Sequence, residues 1–216
     1  PPTERNWNIG GERLWIAPEI QYCVKDRNNL HTTYSLPEQM DPGNYILKRK
    51  NNSVHLETKM NLEAHSKSSQ IQKISIKRII TPIQNPLRTL KNSNTLMKDV
   101  NFSGYSHFIE LKTATPTPQP SEPWSVMQVR QGGISIIPTY GTPQIGWYYR
   151  PKTEETLSIK PHQITVQHEP KNLFKIGVHS TSCTGRVGYL NSNQNRYLII
   201  RNYFVNPSNE YVEEPF

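Results

Sequence analysis

Val54-His55-Leu56-Glu57-Thr58-Lys59-Met60-Asn61-Leu62-Glu63 alternates apolar and polar side chains along most of its length. A period of two puts Val54, Leu56, Met60 and Leu62 on one face of a strand and charged or polar groups on the other. A one-residue slip would expose all four apolar side chains, so the stretch predicts a half-buried strand with a fixed register. Ile74-Ser75-Ile76-Lys77 repeats the pattern close by, and the two segments are expected to pair as neighbours. Arg78-Ile79-Ile80 then breaks the phase, which predicts a bulge or a strand end before Thr81-Pro82.

Working outward, β-branched and aromatic residues mark further strands at 45–48, 108–111, 124–129, 134–137, 164–167, 174–179 and 196–205, about nine in all. The fold class is therefore all-β, with antiparallel strands in a sandwich. Helix is limited to a turn or two within 86–100, where Leu87, Leu90 and Met97 approximate one face and Asn92, Ser93 and Asn94 interrupt it. Pro116, Pro118, Pro120 and Pro123 predict a stiff connector outside the sheets. No internal repeat or composition shift divides the chain, so residues 1–216 read as one domain.

Composition narrows the function classes. Hydrophobic residues make up 34% of the 216, and mean hydropathy is -0.71. No apolar run reaches the length of about 18 residues that a membrane helix needs. The opening residues lack the charged start and apolar stretch of a signal peptide. Cys23 and Cys183 have neither a disulfide-framework nor a metal-ligand spacing and read as independent thiols in preference to a single long-range disulfide. The histidines form no metal-binding pattern, and nucleotide-binding and G-x-S-x-G motifs are missing, so neither a metal nor a cofactor is expected. Net charge is +8, which raises nucleic acid, an anionic membrane surface or an acidic glycan as partners. The densest basic groups, Lys48-Arg49-Lys50 and the lysines and arginine of 73–78, lie beside strands, where a solvated face is the simple explanation.

A family resemblance rests on several ordered stretches. Trp7-Asn8-Ile9-Gly10-Gly11-Glu12-Arg13-Leu14-Trp15-Ile16-Ala17-Pro18-Glu19 resembles the "GG-acid-R-x-W-x-x-PE" segment of uncharacterised bacterial proteins with a galactose-mutarotase-like fold. Lys77-Arg78-Ile79-Ile80, Ser106-His107-Phe108-Ile109-Glu110-Leu111, Pro123-Trp124-Ser125-Val126-Met127-Gln128-Val129, Lys175-Ile176-Gly177-Val178-His179 and Glu210-Tyr211-Val212-Glu213-Glu214-Pro215 follow in the same order. The resemblance implies a β-supersandwich of antiparallel sheets with a sugar in its concave cleft. Such domains carry several strands before the Gly-Gly segment, whereas seven residues precede Asn8 here. The resemblance thus implies a fragment, a product of a cleaved precursor, or a sheet edge covered by a protein partner.

The same resemblance implies candidate site residues. Aldose mutarotases open and reclose a sugar ring with a carboxylate base and a histidine acid. His107 is the counterpart of the acid, and Glu213, with Glu214 beside it, is the base by position. Arg13 and Glu19 would bind hydroxyls or form a structural ion pair, and an unbroken strand would put both on one face. Trp15 and Trp147 would stack on a sugar ring or pack against a sheet. His179 would line the cleft. The leading expectation is a carbohydrate-binding or carbohydrate-active protein with a saccharide ligand. A non-enzymatic interaction module of a larger assembly comes second, and charge-driven binding of nucleic acid or acidic glycan last.

Overall fold

The computed structural model describes residues 11–65, 70–116, 118–149, 156–168, 174–192 and 196–212. Strand accounts for 50% of it and helix for 15%, and the sheets are antiparallel, so the fold is all-β. The sequence reads as one domain; the chain forms two compact units, a central one over Leu14–Ser125 and a terminal one combining Pro1–Arg13 with Val126–Phe216. No helix among the described residues is long and apolar enough to cross a membrane.

Strand β1 (Gly11–Ala17) is followed by β2 (Ile46–Lys50), β3 (Ser53–Ala64), β4 (Gln70–Pro82), β5 (Tyr105–Thr113) and β6 (Glu122–Gln128). In the central unit β2, β3, β4 and β5 form one antiparallel sheet in that order, while β1 pairs with β6. The alternating stretch is the heart of β3, and it pairs with β4 from Val54↔Ile80 to Ala64↔Gln70. Met60, Leu62, Ala64, Ile74 and Ile76 are buried on the inner face, together with Leu14 and Ile16 of β1 and Tyr22, Cys23 and Met40. Burying each large apolar side chain stabilises the fold by about 1.5–3 kcal/mol, which makes this layer the main contribution to the unit. Gln72 is buried within the same face. Its Oε1 accepts from the Gln119 backbone N–H at 3.1 Å, whereas its Nε2 is left unpartnered.

The phase break at Arg78 has a different origin from a bulge. The β3–β4 and β4–β5 ladders run through Arg78, Ile79 and Ile80 without a register shift. Counting in twos from Ile74 and Ile76, Arg78 is itself an inward position, so the pattern breaks in chemistry and not in geometry. Nor does the strand end before Thr81: it pairs on through Thr81 and stops at Pro82. Pro123 lies inside β6 and not in the connector, which a two-stranded ribbon tolerates because half of its backbone groups need no ladder partner. Between β4 and β5 the turns Pro86–Thr89 and Ser93–Leu96 supply the short helical content expected there.

Glu19–Cys23 forms a short helix, so the unbroken strand that would put Arg13 and Glu19 on one face is not formed. Pro18 cannot donate to a ladder, β1 stops at Ala17, and the helix buries Ile20, Tyr22 and Cys23. Burial pushes the Cys23 thiol up to about 12. Both cysteines are free thiols.

The terminal unit adds β7 (Ile134–Pro138), β8 (Ile145–Tyr149), β9 (Leu157–Lys160), β10 (Gln163–Gln167), β11 (Lys175–Val178), β12 (Arg186–Asn191) and β13 (Tyr197–Asn202). They form a sheet in the order β13-β12-β7-β10-β9 and a β11–β8 pair. Ile164, Val166 and Tyr189 are buried on one face of the larger sheet. Gly133 lies against the Tyr189 ring, and a Cβ there would clash with it, so the second residue of Gly132-Gly133 serves close packing while Gly132, at φ 83°, makes the turn.

The inner-face assignment is testable by contrast. Leu62→Ala is expected to cost about 2–5 kcal/mol of unfolding free energy in a denaturant titration. Lys59→Ala, on the opposite face, is expected to change it by less than about 0.5 kcal/mol. Equal effects would contradict the register.

Candidate functional site

The inner face of the four-stranded sheet changes character along its length. Where β3 and β4 carry Met60, Leu62, Ile74 and Ile76 it is apolar. Toward the β2–β3 hairpin the inward positions become Leu56 and Arg78, opposite Leu47 and Ile109, and then Val54 and Ile80, opposite Arg49 and His107. A guanidinium half-buried at such a place requires partners, because an ion removed from water is costly unless it is hydrogen-bonded. Arg78 Nε donates to His107 Nε2 at 3.0 Å, and the guanidinium carbon stands 5.6 Å from the centre of the Tyr45 ring.

This contact fixes the chemistry of His107. Arginine has donors only, so the imidazole Nε2 must present its lone pair, and the proton of the neutral ring sits on Nδ1. Tyr45 also packs against the apolar core. Burial raises its hydroxyl above the ordinary tyrosine range, Arg78 opposes that shift, and the Asp41 carboxylate adds to it. Asp41 Oδ2 in turn accepts from Trp15 Nε1 at 2.9 Å. The Trp15 ring meets Trp124 edge to face, with centroids 5.5 Å apart. The central unit thus gathers a cation, a carboxylate, an imidazole and a phenol around the polar end of a sheet face. Such a set can donate to and accept from hydroxyl groups while offering aromatic surface.

The candidates named from sequence distribute unevenly. His107 stands at this polar end, on the same face as Ile109 and Leu111. Trp15 is held to Asp41 and Trp124, which makes it a wall of the cluster. Glu19 begins the helix after β1, and its Oε1 accepts from the Tyr34 hydroxyl at 2.8 Å. Arg13 lies on β1 in the terminal unit and donates from Nη2 to Gln128 Oε1 at 2.7 Å. Because the strand ends before Pro18, Arg13 and Glu19 do not share an unbroken strand face, and each has a partner other than the proposed mutual ion pair. His179 caps the turn Ser180–Ser182 in the terminal unit, with Nδ1 2.8 Å from Thr181 Oγ1. Trp147 lies on β8 opposite Ile176 in the same unit. Glu213 and Glu214 fall outside the described residues.

Arg78, Tyr45 and Asp41 were missed from sequence, although a signal for Arg78 existed. Its place two residues beyond Ile74 and Ile76 made it inward-facing as soon as the strand was taken to be continuous. Tyr45 and Asp41 carry no comparable mark, because only the tertiary fold brings Tyr45 to Arg78 and Asp41 to Tyr45 and Trp15.

The fold and the cluster define a β-sheet protein with a group of polar side chains at one end of an apolar sheet face. The chain belongs to a family of unknown function, DUF6786, whose pattern spans residues 2–216. No curated protein and no solved structure matches it.

Arg78→Met is expected to release the His107 tautomer. Nitrogen-15 NMR of the imidazole should show Nδ1–H in the unsubstituted protein and a mixture of tautomers in the variant. An unchanged spectrum would mean that Arg78 does not orient the ring.

Proposed function

We propose that this protein is a saccharide-recognition protein of galactose-mutarotase-like fold, with the sugar bound at the polar end of the inner sheet face in the central unit. One observation carries the reading: Arg78, forced inward by an unbroken register, is joined to His107, the histidine that the family resemblance singles out. Antiparallel all-β architecture is consistent with it. In this reading Arg78 and Asp41 take sugar hydroxyls as donor and acceptor, Tyr45 supplies a ring face, and Nδ1–H of His107 is its donor. Recognition is favoured over epimerisation because the acid-base pair is only partly matched: Tyr-Phe-Asn of the mutarotase strand is replaced by Phe108-Ile109-Glu110.

The test is NMR on a panel of aldoses, reading both sugar-dependent shifts and the rate of anomer exchange. Shifts for at least one sugar are expected, with affinity falling by about tenfold or more, or 1.4 kcal/mol, in Arg78→Met and in His107→Ala. Accelerated exchange lost in His107→Ala would extend the function to an aldose 1-epimerase. Silence across the panel would remove the reading.

A second reading, a non-enzymatic interaction module of a larger assembly, is favoured by one feature of the terminal unit. The rungs Ile136–Gly188–Ile200 and Ile134–Leu190–Leu198 form an apolar stripe that leaves Leu198 57% exposed at the edge strand β13. Stripes of this kind mark contact surfaces or aggregation hazards. The occupant to test is a second copy of the chain. A dimer by solution mass measurement, dissociated by Leu198→Lys, is the expected result; one-chain mass at every concentration argues against it.

A further inference from the structure

The outer face of the same four-stranded sheet has a chemistry of its own. Register places Ile46, Glu57, Lys77 and Glu110 on one rung across β2 to β5, with Lys59, Ser75 and Lys112 on the next. Together they line an open groove of about 550 Å³. On the other side of the Glu57–Lys77 rung stand Lys48, His55, Ile79 and Phe108, the last with 57% of its surface exposed. Charges of both signs interleave here. Lys112 Nζ lies 2.7 Å from Glu110 Oε1, and Lys48 Nζ lies 3.9 Å from Glu57 Oε2. The hydrogen bond from Lys112 holds the Glu110 carboxyl below the usual carboxylate range, so it stays an ionised acceptor.

We propose that this groove binds an acidic polysaccharide, a chain of sugars bearing carboxylates, laid across the strands on the face opposite Arg78 and His107. The lysines of the groove, Lys59, Lys77 and Lys112, take the carboxylates of the chain. Glu57 and Glu110 accept its hydroxyl protons, and Ile46 and Phe108 cover the apolar faces of its rings. This division of labour separates an acidic glycan from DNA. A deoxyribose-phosphate backbone brings no donors for two carboxylates fixed in the middle of the groove, and it would be repelled by them. The four strands span about 14 Å at ~4.8 Å per interval, enough for an extended oligomer to meet cations on more than one strand. The +8 charge had suggested polyanions only in general; the register gathers lysines from four strands on one face and places acceptors between them. The proposal does not depend on sugar binding at the inner face.

Polygalacturonate oligomers are the probe, titrated calorimetrically into the full chain at about 0.15 M salt, where exposed charges more than a Debye length apart are largely screened. Lys59→Glu/Lys77→Glu and the milder Lys59→Gln/Lys77→Gln are expected to weaken binding by about tenfold or more. Lys91→Glu/Lys98→Glu, with the same change in net charge as the first pair but on the exposed loop between β4 and β5, should stay within about twofold. Glu57→Gln/Glu110→Gln should also weaken the glycan, and Arg78→Met should leave it unchanged. Absence of binding overturns the proposal, as does equal loss in the Lys91/Lys98 control. So does single-stranded DNA that binds as tightly as the glycan and gains affinity in Glu57→Gln/Glu110→Gln. Circular dichroism of each variant, expected to be unchanged, separates lost binding from lost fold.

Discussion

The register between β3 and β4 is the constraint on which the central unit depends. Each rung from Val54↔Ile80 to Ala64↔Gln70 commits two side chains to the same face. Burial of Met60, Leu62, Ile74 and Ile76 therefore dictates where every neighbour points. A shift by one residue would bring Lys59, Lys73 and Lys77 into the core and expel the apolar set, a cost no local rearrangement can offset. The positions of Arg78 and Lys77, one inward and one outward, follow from that commitment with no further choice. β5 inherits it through the Ile76↔Leu111 and Arg78↔Ile109 rungs, which carry His107 to the same face as Arg78.

This explains how much of the molecule was legible in the sequence. Alternation over β3 and the start of β4 was enough to identify both strands, their pairing and the all-β class, because half-burial imprints a period of two directly on the residues. The weak helical segment between β4 and β5 was also visible, since Asn92, Ser93 and Asn94 interrupt the apolar spacing. Strands β8, β9 and β12 were not foreseen. Glycine interrupts β8 at Gly146 and β12 at Gly188, whereas β9, Leu157-Ser158-Ile159-Lys160, does alternate and was overlooked. The helix Glu19–Cys23 was hidden because five residues are too few to show a helical period and its start depends on Pro18 ending the ladder.

The candidate site was legible only in part, for a related reason. His107 was named because the family resemblance singled it out, just before a predicted strand. Tyr45 and Asp41 could not be named, because Tyr45 reaches Arg78, and Asp41 reaches Tyr45, through packing of the segment before β2, which leaves no local pattern. Arg13, Trp15 and Glu19 are close in sequence, and that closeness suggested one site. In the structure Pro18 separates the strand from the helix, and the three side chains take Gln128, Asp41 and Tyr34 as partners. Proximity along the chain was a poorer guide than strand parity.

Because Lys77 and Arg78 are consecutive residues of one strand facing opposite ways, the two sides of the sheet can diverge in evolution at very different costs. A point substitution at either position retunes one surface and leaves the other untouched, so ligand preference on each side can drift independently. An insertion or deletion within β4 has no such freedom. It would exchange the two cations between faces and invert both chemistries at once. Relatives are therefore expected to vary in side chains along this strand while keeping its length, with length changes confined to the segments beyond Pro82 and before Gln70.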